Sequence, residues 1–471
     1  MAKADAGDTR LPLNLALAFA ATSLPLYGLG LAISVHMPSY FAASLGVELA
    51  VVGAAFGLAR MIDVPIEPLL GLAMDRTRTR WGRYRFWTIL GAPFLMAGLF
   101  LLLQADRSVG TTGLVGFLLV MYLGSSMLLL SHSAWASTLA TSYDDRARLF
   151  GVMTAVGVAG AVCVILFPIV GEQMGFTEAE AIRGMLWYLI ALTPLAILAV
   201  VWRTPETVMR EAPDARFRLR DYLELVFDRN MSRVIVADLA LGMGPGWMAA
   251  LYLFYARDFM GFTSGQANVL LLVYIVAGIV GAPSLAWLAT RIGKHRTVIA
   301  AALAYSVLLL TFTVLPRGNV LAAAPSMFLT GFLAASFNVL TRAMTADVAD
   351  EMRLRQGKER GGLLYALTTL TNKVAAGFGI ALTFWALGRT GYDPTLGSAN
   401  TPEAIRSLLV VFLAGPIAFV GLGALSLLGY GLTPDRAAET RRRLDARDAA
   451  LTAAAGVESL TGQEQTPPQR T

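Results

Sequence analysis

Between Leu11 and Val47 the chain carries no Asp, Glu, Lys or Arg, and comparable apolar runs recur along its whole length. Roughly 20 apolar residues cross a bilayer as a helix. Runs of that kind, parted by charged or Pro/Gly-rich breaks, predict twelve spans: 14–43, 49–73, 86–105, 112–139, 149–172, 184–202, 232–260, 266–290, 297–315, 320–346, 362–388 and 405–431. The longest polar connection, 203–231, falls between the sixth and seventh. The pattern is that of an all-α polytopic membrane protein, divided into a six-helix half over 1–202, a linker over 203–231, a second six-helix half over 232–433 and a tail over 434–471. Lys3 and Arg10 precede the first run but no small-residue cleavage site follows it, so span 1 is expected to be retained.

Charge adds orientation. With both termini cytoplasmic, Arg107, Arg183, Arg257, Arg317, Arg389 and Arg406 lie outside, and Arg60, Arg342 and Lys373 lie within spans; the other 29 of the 38 basic residues fall on the cytoplasmic side. Basic residues of short loops are retained in the cytoplasm, and a shift by one span inverts the count. The halves also echo each other. "GLAMDRTRTRWGRYR" follows span 2 where "LAWLATRIGKHR" follows span 8, and "SYDDRARLFG" follows span 4 where "DVADEMRLRQGKERGG" follows span 10. Two repeats related by an axis along the membrane normal are the plan of major facilitator transporters, which bind solute at mid-membrane between the halves. The expected setting is therefore a cell inner membrane.

Composition excludes other classes. Hydrophobic residues make up 56% and charged residues 15%, against about a quarter charged in soluble domains. A single cysteine, Cys163, rules out an internal disulfide, and three scattered histidines suggest no metal centre. No nucleotide-binding loop and no nucleophile–base pair on a loop is present, so neither primary transport nor enzyme activity is expected. Within the linker, Leu219, Tyr222, Leu223, Val226 and Phe227 recur at helical spacing, as in an in-plane amphipathic helix. The tail, rich in Ala, Arg and Gln, is expected to be partly disordered.

In "DRTRTRWGRYR", five arginines fall between Asp75 and Arg85 with aromatics among them. In isolation this looks like a nucleic-acid surface; between two spans it is a cytoplasmic loop, and no nucleic-acid partner is expected. With its preceding span, "RMIDVPIEPLLGLAMDRTRTRWGRYRFW" closely resembles the signature of the glycoside–pentoside–hexuronide:cation symporters, the melibiose-permease-like branch of the major facilitator superfamily. "ADVADEMRLRQGKERGGLLYALTTLTNK" resembles that family's second signature around spans 10 and 11. The resemblance covers nearly the whole chain and implies a cation-coupled symporter.

Ionisable groups at mid-membrane are costly unless paired or hydrated. Arg60, Asp63 and Glu67 sit at offsets of three and four, on one face of span 2. Two carboxylates on one face repel, so the pair attracts a proton or a metal cation. Lys373 lies about eleven residues into span 11, roughly 16 Å deep at 1.5 Å per residue, too deep to snorkel fully. A pairing with the span 2 acids across the halves is expected, and an arriving cation would compete with it. The resemblance implies the same roles: Asp63 and Glu67 match the family's two cation-site acids, with Glu67 one methylene longer than the usual aspartate, and Arg60 and Lys373 match its arginine and lysine. Asp238 is expected to pair with Arg233, and Arg342 and Asp347 to form gate or interface pairs. A cytoplasmic latch is expected from Asp75, Arg76, Arg80 and Arg83 against Asp347, Asp350 and Glu351 when the protein opens outward.

The sugar-clasping residues of the family are largely missing. Span 1 has no acid, the span 4 acid's position is Ser131, and the span 5 arginine's position is Val156, although the family's tryptophan is kept as Trp135. Ser131, His132, Ser133, Trp135 and Tyr27 remain as substrate-binding candidates. Family members that use sodium place an amide between the acids and a hydroxyl on span 4; Ile66 and Leu128 occupy those positions here. Sodium needs more oxygen ligands than two carboxylates supply, so protons are expected over sodium, with no cofactor or metal. The expected function is alternating-access symport of a small organic solute such as a sugar or glycoside by a monomer. A carrier of a lysophospholipid-like solute is the alternative, and a non-transporting receptor fits worse because it has no use for mid-membrane charges.

Overall fold

The computed structural model describes residues 11–140, 142–206, 226–356 and 361–463. Among them there is no strand. The helices are α1 (Leu13–Ser44), α2 (Leu49–Arg76), α3 (Arg83–Leu103), α4 (Thr111–Leu139), α5 (Tyr143–Gln173), α6 (Glu178–Arg203), α7 (Arg229–Phe259), α8 (Ser264–Ile292), α9 (Lys294–Leu310), α10 (Val320–Gln356), α11 (Gly361–Gly388), α12 (Pro402–Ser426) and α13 (Pro434–Gln463). Eleven are long and apolar enough to cross a membrane. The expected ninth span, α9, has 17 helical residues and continues in a 3-10 turn over Thr311–Thr313. It still runs end to end: Lys294 at its start bonds Asp347 near the basic loops, while the Gly318 amide after it bonds the Met260 carbonyl at the opposite end, called here the far end.

Two helices outrun their apolar runs. α5 begins at Tyr143, where the Ser142 hydroxyl accepts the Asp145 amide, and α10 extends through "DVADEMRLRQ". Charged residues with good helix propensity continue a helix beyond the bilayer because water, not lipid, then solvates them. In the tail, 434–463 is helical, and Arg353 of α10 pairs with Asp448 at 3.1 Å. Its Ala, Arg and Glu residues are strong helix formers. The expected linker helix lies for the most part outside the described residues, as do 464–471.

The internal repeat extends to local backbone. α1 ends in a π-helical turn at Tyr40–Ser44 and α7 in one at Tyr255–Phe259. Each carries Tyr at its start and, six residues on, a left-handed glycine, Gly46 (φ 67°) or Gly261 (φ 72°). In each, bonds to the Tyr carbonyl and to the next one close the turn (Leu45 and Val47; Met260 and Phe262). Large apolar side chains such as Leu195, Leu303 and Leu321 stay exposed on the outer helices, the surface that a bilayer covers.

Candidate functional site: a charge cluster between the halves

On α2, Arg60 Nη1 donates to Asp63 Oδ2 at 3.0 Å, and the guanidinium lies 4.1 Å from the ring centre of Tyr122 on α4. From the other half, Lys373 Nζ on α11 donates to Asp63 Oδ2 at 3.1 Å and forms an ion pair with Glu67. Asp63 is 1% exposed. Such a pair holds together only while both partners remain, since removing one from a buried pair costs about 3–5 kcal/mol. The helices approach closely here: a methyl at Gly377, one turn past Lys373, would sit 2.5 Å from Arg60 Cβ.

The span 4 hydroxyl, whose expected position is Leu128, is supplied two residues earlier. Ser126 Oγ donates to Asp63 Oδ1 at 3.0 Å and accepts from Lys373 Nζ at 3.1 Å. Nothing in the local pattern of α4 marks Ser126 apart from Ser125; only the packing of α4 on α2 selects it. Of the two sodium ligands that Ile66 and Leu128 do not provide, the hydroxyl is therefore present beside Asp63. Among the described residues no group of three or more His, Cys, Asp or Glu side chains is placed to hold a metal ion.

Three expected substrate residues are sealed inside the N-terminal half. Trp135 is fully buried, with Nε1 donating to the Pro205 carbonyl at 3.2 Å and its ring edge-on to Phe19. His132, 2% exposed, bonds the Phe19 carbonyl through Nε2 at 2.8 Å and stacks on the Phe19 ring. Ser131 donates to the Met127 carbonyl and lies 2.9 Å from Thr88 Oγ1. This face of α4 turns toward α1 and α3, and in this conformation these polar atoms bond within the N-terminal half. Ser133 is half-buried, and Tyr27, 44% exposed, stands over Gly157 of α5.

Asp238 has partners other than the expected Arg233. Its carboxylate accepts from Thr341 Oγ1 at 2.6 Å, Thr371 Oγ1, and Asn372 Nδ2 at 3.0 Å, and makes no ion pair with Arg233. Arg233 lies toward Gly429 instead. Asp347 pairs with Lys294 at 2.6 Å, whereas Arg342 is exposed.

The arginine run is held within its own half. Gly82 turns with φ 104°, and the Glu206 carboxylate accepts the amides of Arg83, Tyr84 and Arg85 at 2.6, 2.8 and 2.9 Å. A carboxylate there satisfies the orphan donors at a helix start and complements its dipole. Asp75 pairs with Arg83 at 3.4 Å, and Glu351 accepts from Asn230. Among the described residues the bonds joining the halves lie at mid-bundle and at the far end, where Arg257 meets Glu178 at 3.5 Å, Glu172 accepts the Gly265 amide, and His36 bonds Asn268 at 2.9 Å. In this conformation Asp75 pairs with Arg83 inside one half and Asp347 with Lys294 inside the other, and among the described residues no ion pair joins the two sets.

The sequence profile of MFS/sugar transport proteins matches residues 18–434. The chain belongs to that family. This transporter is 25% identical over 422 residues to an isoprimeverose transporter of Lactiplantibacillus pentosus, covering 84% of each chain. It is 24% identical to the glucuronide carrier protein homolog of Escherichia coli K12, covering 87% of this chain and 90% of that one. The crystal structure of nucleoside transporter NupG (D323A mutant) superposes with a TM-score of 0.69 at 15% identity, over 89% of this chain and all of the other, and so shares the fold. The relatives place the chain among the glycoside–pentoside–hexuronide:cation symporters. It is a multi-pass membrane protein and a secondary active symporter, not an enzyme.

Proposed function

We propose that this symporter is driven by protons and carries a hydroxyl-bearing solute of the glycoside class, as a monomer in the cell inner membrane with both termini cytoplasmic. The observation that carries the reading is Lys373 of one half held by Asp63 and Glu67 of the other. The two acids and two bases balance in charge, so an arriving cation unbalances the cluster and weakens the only mid-membrane ionic tie between the halves among the described residues. Asp63 accepts hydrogen bonds from Arg60, Ser126 and Lys373, whereas Glu67 has only its ion pair with Lys373. A proton therefore displaces the fewest contacts at Glu67, which acts as its acceptor. With the basic loops cytoplasmic, the far-end contacts describe a conformation closed to the outside, and release of Lys373 is the step that allows the alternate one. A single chain holds both halves and the whole cluster, which supports a monomer. The names of the two relatives support a glycoside.

The test is uptake into proteoliposomes of glycosides, uronates and lysolipids under an imposed pH or sodium gradient. A pH gradient is expected to drive accumulation of a glycoside, and Asp63→Asn or Lys373→Ala to abolish it while leaving facilitated exchange measurable. Stimulation by sodium alone, insensitive to collapse of the proton gradient, would refute proton coupling. Uptake restricted to lysolipids would refute the solute class.

A further inference from the structure

The charge cluster leaves one buried acid unused. Asp238 on α7 is 2% exposed, yet its bonding partners are neutral: two threonine hydroxyls and the Asn372 amide. A mid-membrane carboxylate is expensive to keep, so a role in arranging its donors is the physical question. Asn372 Nδ2 donates to both Asp238 Oδ2 and the Thr368 carbonyl, the latter at 2.8 Å. That fixes the orientation of the amide, because a carboxylate and a carbonyl accept only from N–H. The Asn372 oxygen is thereby turned to Asn338 on α10, whose Nδ2 donates to it at 2.8 Å. The relay sets the second amide too. Asn338 is exposed, and among the described residues its oxygen and second N–H have no protein partner. Beside it lies a cavity of about 150 Å³, lined by Asp238, Gly242, Pro245, Phe337, Asn338 and Asn372 among others. α7 and α11 are both in contact with the N-terminal half, and Asn372 adjoins Lys373. Asp238 and Asn372 thus stand on the two helices that face the other half, at the level of the charge cluster, and Asn338 is the exposed end of the relay on α10.

We propose that Asn338 is a solute-binding residue whose amide clasps two neighbouring hydroxyls of a glycoside, one as donor and one as acceptor, and that Asp238 acts through Asn372 as its positioning residue. The proposal rests on the glycoside reading above and deepens it. A planar amide offering one donor and one acceptor side by side matches a vicinal diol, which can accept with one oxygen and donate with the other. Specific sites commonly rely on a few fixed polar groups of this kind. The clasp also supplies, from the C-terminal half, hydroxyl partners that the sealed Ser131, His132 and Trp135 do not offer.

The experiment is calorimetric binding to the full chain in nanodiscs, using 4-nitrophenyl glycosides of xylose, glucose, galactose and glucuronate, followed by monodeoxy analogues of the tightest one. Wild type is expected to bind at least one glycoside and to lose affinity for particular deoxy analogues. Asn338→Ala should bind the parent about tenfold more weakly, as loss of about 1.4 kcal/mol of hydrogen bonding implies, and should no longer distinguish the parent from one or two of those analogues. Asp238→Asn should raise the KM for downhill flux and blunt the same discrimination, with the proton-to-solute ratio unchanged. Should thermal unfolding show that Asn338→Ala does not fold, Asn338→Ser, with a single hydroxyl, replaces it and is expected to keep part of the discrimination. Wild-type binding with variant affinity and ranking unchanged overturns the clasp alone. Wild type that binds none of the glycosides overturns the solute reading, and the clasp with it.

Discussion

Asp63 Oδ2 accepts from Arg60 and Lys373, leaving Oδ1 to Ser126. Ser126→Ala removes a donor to Asp63 and an acceptor for Lys373 while keeping the packing. A hydrogen bond of this kind contributes about 1 kcal/mol, so proton-driven uptake should fall about fivefold in initial rate, with little change in folded yield. An unchanged rate would mean that Ser126 only fills space. Gly377 belongs to the same geometry: Gly377→Val places methyl groups where the Arg60 side chain lies, and is expected to abolish uptake or folding. Trp135 separates packing from binding. Trp135→Phe should lower the apparent melting temperature by a few degrees, through the lost indole bond to Pro205 and lost volume, and leave the ranking of solutes intact; an altered ranking would return Trp135 to the binding site.

Among the elements, the start of α3 shows how a loop signature acts. The arginine run is conspicuous in sequence, but the residue that holds it is Glu206, three positions beyond the end of α6, which accepts three successive amides. Glu206→Ala should destabilise the protein by about 1 kcal/mol, seen as a lower melting temperature in detergent, while uptake per folded molecule persists. Selective loss of uptake would instead assign Glu206 to gating. The paired turns at Tyr40–Ser44 and Tyr255–Phe259 show the converse. Their shared Tyr and Gly are legible in "YFAASLGV" and "YARDFMGF" only once the structure has shown that both segments end the first helix of a half. A π-turn has no hydrophobic period of its own; it is set by how the helix end packs.

Across the whole molecule, the described bonds between halves fall at mid-bundle, all through Lys373, and at the far end. Arg257 there carries Glu178 of the other half and, with Tyr392, the buried Asp258. An ion pair across a moving interface shifts the balance between two conformations by the free energy it contributes to one of them. Glu178→Gln should therefore increase the population open at the far end. Spin labels at Met174 and Arg317, both exposed, should report a longer distance component by electron double resonance. A distribution identical to wild type would assign the pair to local stability alone.

The all-helical membrane class, the family, and the α2 face carrying Arg60, Asp63 and Glu67 were legible in the sequence. Each depends on hydrophobic length, on the 3.6-residue period or on a contiguous motif, and these survive without knowledge of neighbours. So did the demand that Lys373 find a partner, because an unpaired ammonium at mid-membrane is too costly. Only the tertiary structure decided which residues answer such demands from other helices: Ser126 rather than Leu128 beside Asp63, Thr341, Thr371 and Asn372 rather than Arg233 beside Asp238, and Glu206 at the start of α3. It also turned Ser131, His132 and Trp135 inward. The physical reason is common to all of these. A polar side chain in an apolar helix bonds whatever donor or acceptor packing brings within about 3 Å, and in a helix that is apolar all round the period does not say which side faces a partner.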